Sequence, residues 1–235
     1  MNISSLSTVV NSIKFIPEEV SEFDLGDFLY SEDIDILLHK SQLNHFLDIL
    51  ELHNAYEIEG DIVECGVWRG ASAAILKSSV NAISPSKKMF LFDFFGEDVT
   101  LNLDKLTVKE KLLINRVDGK KIKLPNLESV KQQLEKFKLL DDSVYFVQGD
   151  VIETTRKSQL GKISLLHLDL DFSYTTAFVL NQLYDRVAKG GIIVINDYNM
   201  QSLDCKRAVD EFMNQHQIKN KLIEVGSHLA YWIKD

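Results

Sequence analysis

The chain has 235 residues, 45 % of them hydrophobic, enough for one large α/β domain or two small ones, and the lack of a Pro/Gly/Ser-rich linker favours one. Its formal net charge of −9 argues against a nucleic-acid or acidic-membrane surface, which needs clustered Lys and Arg, and the richest basic run, Lys120-Lys121-Ile122-Lys123, is short. No apolar stretch reaches the ~20 residues of a membrane span, no basic-then-apolar leader opens the chain, and two cysteines, Cys65 and Cys205, without a pairing pattern fit a reducing compartment, so the expectation is a cytoplasmic protein.

Residues 1–30 show scattered apolar positions broken by Pro17 and Gly26. Phe15, Ile16, Phe23, Leu25, Phe28 and Leu29 are more apolar than a free arm requires, which points to a contact within a homo-oligomer, with cover for the chain's own domain as the alternative. A helix capped by Ser31 follows, with Ile34, Leu37, Leu38, Phe46, Leu47 and Leu50 at helical spacings and an end near His53-Asn54. Residues 1–55 thus read as an arm and helix, and 56–235 as the main domain.

Asp61–Cys65 reads as the first strand, and Gly66-Val67-Trp68-Arg69-Gly70 as a turn opening a helix from Ala71 to about Ala82. The spacing Gly-x-x-x-Gly is neither the dinucleotide fingerprint nor a phosphate loop, so a structural turn and a ligand loop are both open. Lys88–Asp93 is a second apolar run ending in an acid. Asp93 reads either as a helix or loop cap or as the acid that binds ribose hydroxyls after a glycine turn. Residues 96–125 break into polar text with a short helix near Val108 to Ile114, the length of a lid. A helix from Asn126 or Ser129 to Leu140, a strand from Ser143 to Val147 and a turn ending in Asp150 come next.

Ile163–Asp171 and Gly190–Tyr198 bracket an amphipathic run from Ser173 to Ala188, which predicts a β-α-β unit. A right-handed crossover brings both strand ends to one sheet edge, so Asp169 meets Asn196 and Asp197 where open α/β sheets bind ligands. Such a cluster suits a hard divalent cation. Asp171 reads as a helix cap or a supporting partner rather than a ligand, and His167 as a packed imidazole or, alternatively, a base. A helix from about Leu203 to Gln215 and a hairpin of Lys221–Val225 with His228–Ile233 at one sheet edge complete the chain.

Val63-Glu64-Cys65-Gly66-Val67-Trp68-Arg69-Gly70, Asp93-Phe94-Phe95, Gly149-Asp150, Asp169-Leu170-Asp171 and Asn196-Asp197-Tyr198 occur together and in order. Over about residues 58–215 this resembles the macrocin O-methyltransferase family, which methylates sugar hydroxyls of natural products with S-adenosylmethionine. The resemblance implies a class I methyltransferase fold: an α/β, Rossmann-like doubly wound sheet of seven strands, mostly parallel. It implies that Glu64 and Gly66 lie beneath the methionine part of the cofactor, with Arg69 and Ser72 at the helix start, Asp93 on the ribose and Asp150 on the adenine amine. Asp169, Asn196 and Asp197 would hold Mg2+, the asparagine carbonyl standing where the family usually has aspartate. The acceptor implied is a small molecule, a sugar or glycoside.

A metal ion chelated by two adjacent hydroxyls would orient an acceptor and lower a hydroxyl pKa, so Asp169 and Asp197, with His167 as candidate base, carry the expected chemistry. The family's lid histidine has no counterpart, since no histidine lies between His53 and His167. A metal-independent or N-directed methyltransferase, and a non-catalytic nucleotide-binding or scaffold protein whose acids only cap helices, are the alternative readings.

Overall fold

The computed structural model describes residues 9, 40–55, 57–96, 102–117, 125–201, 203–226 and 228–235. Apart from Val9, the expected arm, the helix start at Ser31 and the Lys120–Lys123 run lie outside the described residues. Within the described residues, seven helices and the seven strands position the site. Helix α1 (Lys40–Ala55) precedes β1 (Asp61–Cys65), α2 (Ala71–Ile83) and β2 (Met89–Asp93). Then come α3 (Val108–Val117), α4 (Leu127–Lys136), β3 (Val144–Gln148) and α5 (Val151–Lys157). The second half runs β4 (Ile163–Leu168), α6 (Ser173–Leu183), β5 (Val187–Ile195), α7 (Cys205–Gln215), β6 (Ile223–Val225) and β7 (Leu229–Ile233).

The strands form one seven-stranded sheet in the order β3-β2-β1-β4-β5-β7-β6. The first five run parallel, and β7 pairs antiparallel with both β5 and β6. This is the class I methyltransferase arrangement expected, including the C-terminal hairpin. Strands buried on both faces should read as continuous apolar runs, and β4 is buried at every residue. Alternate residues serve opposite faces. Ile62, Leu91, Leu165, Ile192 and Val194 pack with α1, α2 and α4, while Val63, Leu166, Leu168, Ile193 and Ile195 pack with α5, α6 and α7.

Two helices are shorter than periodicity predicts, each for a local reason. α6 stops at Leu183 instead of running to Ala188: Lys234 Nζ, a distant donor, takes Tyr184 O at 2.8 Å and Val187 O at 3.0 Å, and the Arg186 side chain ties the segment to Leu160 O. β5 accordingly begins at Val187, and its register against β4 shifts between Ile163 and Leu165. α4 stops at Lys136 in a Schellman motif: Leu139 N donates to Leu134 O (2.9 Å) and Lys138 N to Glu135 O (2.8 Å). The left-handed residue there is Lys138, φ 57°, a position usually marked by glycine, so the stop carries no sequence signal.

Candidate functional site

The C-terminal ends of five parallel strands are stitched into a single edge. Gly66 N donates to Phe92 O at 2.9 Å, Gly149 N to Asp93 O at 3.0 Å, Asp169 N to Cys65 O at 2.8 Å and Asn196 N to Leu168 O at 2.8 Å. Gly66 is required here twice over: its φ is +86°, and a Cβ would fall 1.7 Å from Asp169 O. The turn after β1 and the acid after β4 are therefore in backbone contact.

Glu64 and His167 are register partners on β1 and β4. Both are buried, and His167 Nδ1 lies 3.0 Å from Glu64 Oε1. Burial pushes the Glu64 carboxyl up, against the opposing pull of His167. Burial disfavours the charged His167 imidazole, but the Glu64 hydrogen bond and charge, with Asp169, raise its pKa overall. The Phe46 ring of α1 closes over His167 at 5.1 Å, so the imidazole is packed as well as hydrogen-bonded. Among the described residues Glu64 Oε2 is buried without a partner in hydrogen-bonding geometry, although the Ser72 side chain lies close enough to favour the ionised form. An orphaned carboxylate oxygen under the glycine turn fits the ammonium group of a bound amino acid moiety.

Asp93 and Asp150 are used by their own backbone. Asp93 Oδ2 accepts from Val67 N (2.6 Å) and Trp68 N (3.0 Å), and Oδ1 from Phe95 N (3.2 Å), so the acid ties β2 to the glycine turn and Oδ1 keeps a lone pair. Asp150 is exposed and caps α5 through Oδ1 and Ile152 N at 2.8 Å. Arg69 lies over the Trp68 ring at 5.9 Å, and Ser72 is half-buried at the start of α2.

Among the acidic side chains, the cluster brings one more residue to Asp169 and Asp197. Asp169, Asp171 and Asp197 place carboxylate oxygens within 4.8 Å of one another. Asp171, read from sequence as a cap or supporting partner, is a member of this group. Asn196 turns its amide toward Asp169, Nδ2 donating to Oδ1 at 3.0 Å, and so supports that acid. Burial raises the Asp169 carboxyl, and His167 and Asn196 offset part of that rise. In this dense acidic neighbourhood the atoms crowded round the Asp171 carboxyl, and then the Asp169 charge, push it up to about 7, while a hydrogen bond shared with Asp197 pulls the other way. Crowded carboxylates that resist ionising are the electrostatic mark of a place for a cation, and an all-oxygen donor set fits a hard one. The readable signal for Asp171 was its spacing, Asp-x-Asp at the end of a buried strand. Sequence reasoning also passed over Glu110 of α3, which is fully buried and accepts from Ser173 N at 2.7 Å. Its signal was Thr107-Val108-Lys109-Glu110, the S/T-x-x-E form of a capping box.

Comparison with known proteins agrees with this architecture. The chain is 27 % identical over 176 residues to a tetracenomycin 4'-O-methyltransferase from Streptomyces olivaceus that is named for a rhamnosyl substrate, and equally to the demethyldecarbamoylnovobiocin O-methyltransferase of Streptomyces niveus. Each match takes in 74 % of this chain and 66 % of the relative, so the chain spans just under two thirds of their length. Mycinamicin III 3''-O-methyltransferase of Micromonospora griseorubida is 25 % identical over 198 residues, 83 % of this chain and 77 % of the relative. The solved O-methyltransferase NovP superposes with a TM-score of 0.80 at 23 % identity, over 99 % of this chain and 96 % of NovP. The calicheamicin methyltransferase CalS11 gives 0.61 at 18 % identity, over 98 % and 90 %. Residues 36–234 match the family described as macrocin-O-methyltransferase (TylF), and with the sheet order and its acid-lined edge this chain belongs to the macrocin O-methyltransferase family.

Proposed function

We propose that the protein transfers a methyl group from S-adenosylmethionine to a hydroxyl of a sugar or glycosylated natural product, assisted by Mg2+. The observation that carries the reading is the cluster of Asp169, Asp171 and Asp197 beside the glycine turn, on a fold whose relatives are named for glycoside O-methylation. Glu64 Oε2 would accept from the cofactor's ammonium group, Gly66 would allow close approach, and Arg69 and Ser72 would line the start of α2. The free lone pair of Asp93 Oδ1 would take a ribose hydroxyl, and the second oxygen of Asp150 the adenine amine. Asp169, Asp171 and Asp197 would hold the cation, Asn196 keeping Asp169 in place. A bound divalent ion supplies alignment of two neighbouring hydroxyls and a lowered hydroxyl pKa. Asp171 is better placed than His167 to receive the acceptor's proton on its carboxylate, because His167 is committed to Glu64 beneath Phe46.

Methyl transfer is a displacement at an electrophilic carbon, so the protein's task is alignment and exclusion of water. A cleft of about 660 Å³ lies between α7, the loop after Asp197 and Lys109 of α3, with Tyr198, Asn199, Asp204 and Lys206 among its polar walls. Residues 96–125 would act as a lid on the 56–235 domain, and residues 1–55 as an oligomer contact, in a cytoplasmic enzyme whose partner is this small molecule. One observation favours the metal-independent reading: the Asn196 amide already occupies Asp169 Oδ1.

Calorimetry with S-adenosylmethionine, then mass-spectrometric detection of methyl transfer to a panel of glycosides with Mg2+ and with excess chelator, tests the proposal. Cofactor binding and chelator-sensitive transfer are expected. Transfer that persists in chelator would move the assignment to the metal-independent enzyme, and absence of cofactor binding would end it altogether.

A further inference from the structure

Helix α3 reaches the acidic edge through one buried carboxylate. Glu110 Oε2 accepts from Thr107 N at 2.8 Å while Glu110 N donates to Thr107 Oγ1 at 3.3 Å, the reciprocal bonds of a capping box. The other oxygen leaves its own helix. Oε1 accepts from Ser173 N at 2.7 Å, 63 residues further along, at the first residue of α6. The N-cap position of α6 holds Phe172, whose side chain cannot cap, so Glu110 supplies a negative charge to two helix N-termini at once. Two backbone N–H bonds are what make a fully buried carboxylate tolerable.

The segment between β4 and α6 is the one that bears the acids. Phe172 N donates to Leu170 O at 2.6 Å, closing a γ-turn centred on Asp171 with φ +59°, the rarer and more strained of the two γ-turn forms. Cys205 Sγ holds Asp171 O at 3.0 Å from the side of α7. Glu110 holds the next amide but one, on Ser173, from the side of α3. Neighbouring residues of the same segment add contacts: Lys105 Nζ stands 5.9 Å from the Tyr174 ring, and Lys109 Nζ lies 3.2 Å from Asp204 Oδ1 at the start of α7. Residues 105–110 therefore grip the starts of α6 and α7, the helices that follow the strands ending at Asp169 and Asp197.

We infer that Glu110 is a positioning residue, whose clamp on Ser173 holds the strained turn at Asp171 in the geometry that receives a divalent cation, making docking of α3 and assembly of the carboxylate site one event. The inference rests on the metal-assisted reading above. A Ser, Thr or Asp at position 172 would cap α6 locally. Supplied from α3 instead, the cap makes the shape of the acidic turn conditional on where α3 sits.

The test uses the full chain with Mn2+ as probe, its binding read by calorimetry or electron paramagnetic resonance, alongside S-adenosylmethionine binding and the melting temperature. Glu110→Ala should weaken Mn2+ binding by about tenfold or more, the loss typical when a group that orients metal ligands is removed, and leave cofactor affinity unchanged. Glu110→Gln keeps one acceptor oxygen and should fall between the two. A folded Glu110→Ala chain that binds Mn2+ as tightly as the wild type overturns the inference. If Glu110→Ala does not fold, Glu110→Gln decides, and wild-type Mn2+ affinity in that variant overturns it equally. A wild-type chain that binds the cofactor but no Mn2+ overturns the metal-assisted reading, and this inference falls with it.

Discussion

Asp93 holds three backbone amides, two of them in the turn that follows β1. Hydrogen bonds to a charged group contribute roughly 1.5–3 kcal/mol, and an asparagine carbonyl at this position would face two N–H groups with one oxygen while its own NH2 opposed the third. Asp93→Asn is therefore expected to lower stability by about 2 kcal/mol in urea denaturation without cofactor, and to weaken S-adenosylmethionine as well. A variant that loses cofactor affinity at unchanged stability would mean that the carboxylate serves the ligand alone. At this scale the sequence was informative about which side chains gather at the edge and less so about what each one holds. Position at a strand end follows from pattern, but hydrogen-bond partners such as Val67 N or Asn196 Nδ2 depend on turn geometry and amide orientation, and no spacing encodes them.

α1 is fixed to the opposite end of the sheet by a buried polar knot. His53 Nε2 lies 3.0 Å from Ser164 Oγ at the start of β4, Nδ1 lies 3.3 Å from Asn54 Oδ1, and Asn54 Nδ2 donates to Ser79 Oγ of α2 at 2.9 Å. Burial lowers the His53 pKa from 6.5 to about 4, the Asn54 bond opposing and Lys87 adding to the shift. The unfolded chain therefore binds the extra proton first. Stability from this group is complete above about 6.5 and is lost as pH falls toward 4, by about 3 kcal/mol in all. Denaturation at pH 7.5 and 4.5 should show a steeper loss in wild type than in His53→Gln, and parallel profiles would rule the knot out as the source. The elements themselves were legible where periodicity was long: β1 at Asp61–Cys65 and α2 from Ala71 fall where the pattern puts them. α4 and α6 ended early because Lys138, Arg186 and Lys234 stop them through bonds that involve carbonyls distant in sequence or a left-handed lysine.

For the molecule as a whole, the acidic edge sets a term of opposite sign. With folded-state pKa values raised in Asp169 and raised to about 7 in Asp171, the contribution of these groups is fully present below their ordinary carboxylate range and is lost as pH rises through about 7. A cation should offset that loss where the carboxyls are ionised. Mg2+ at a hundred times its dissociation constant would add about 2.7 kcal/mol, or roughly 5–10 °C in melting temperature for a chain of this size. The gain is expected at pH 8, to shrink at pH 5 where protons compete, and to vanish in Asp197→Ala. A melting temperature indifferent to Mg2+ at pH 8 would count against the cation site. Fold class was readable from the alternation of apolar runs and helical periods, while the docking of residues 105–110 was not, because it joins segments far apart in the chain. Distance along the chain also has a consequence in time. β1 lies between β2 and β4, and its Cys65 pairs with Leu168, 103 residues later. During synthesis at about 5–20 residues per second, the β4-facing edge of β1 stays unpaired for roughly 5–20 s after it emerges, an adhesive edge on the nascent chain that only the arrival of the acid-bearing strand can close.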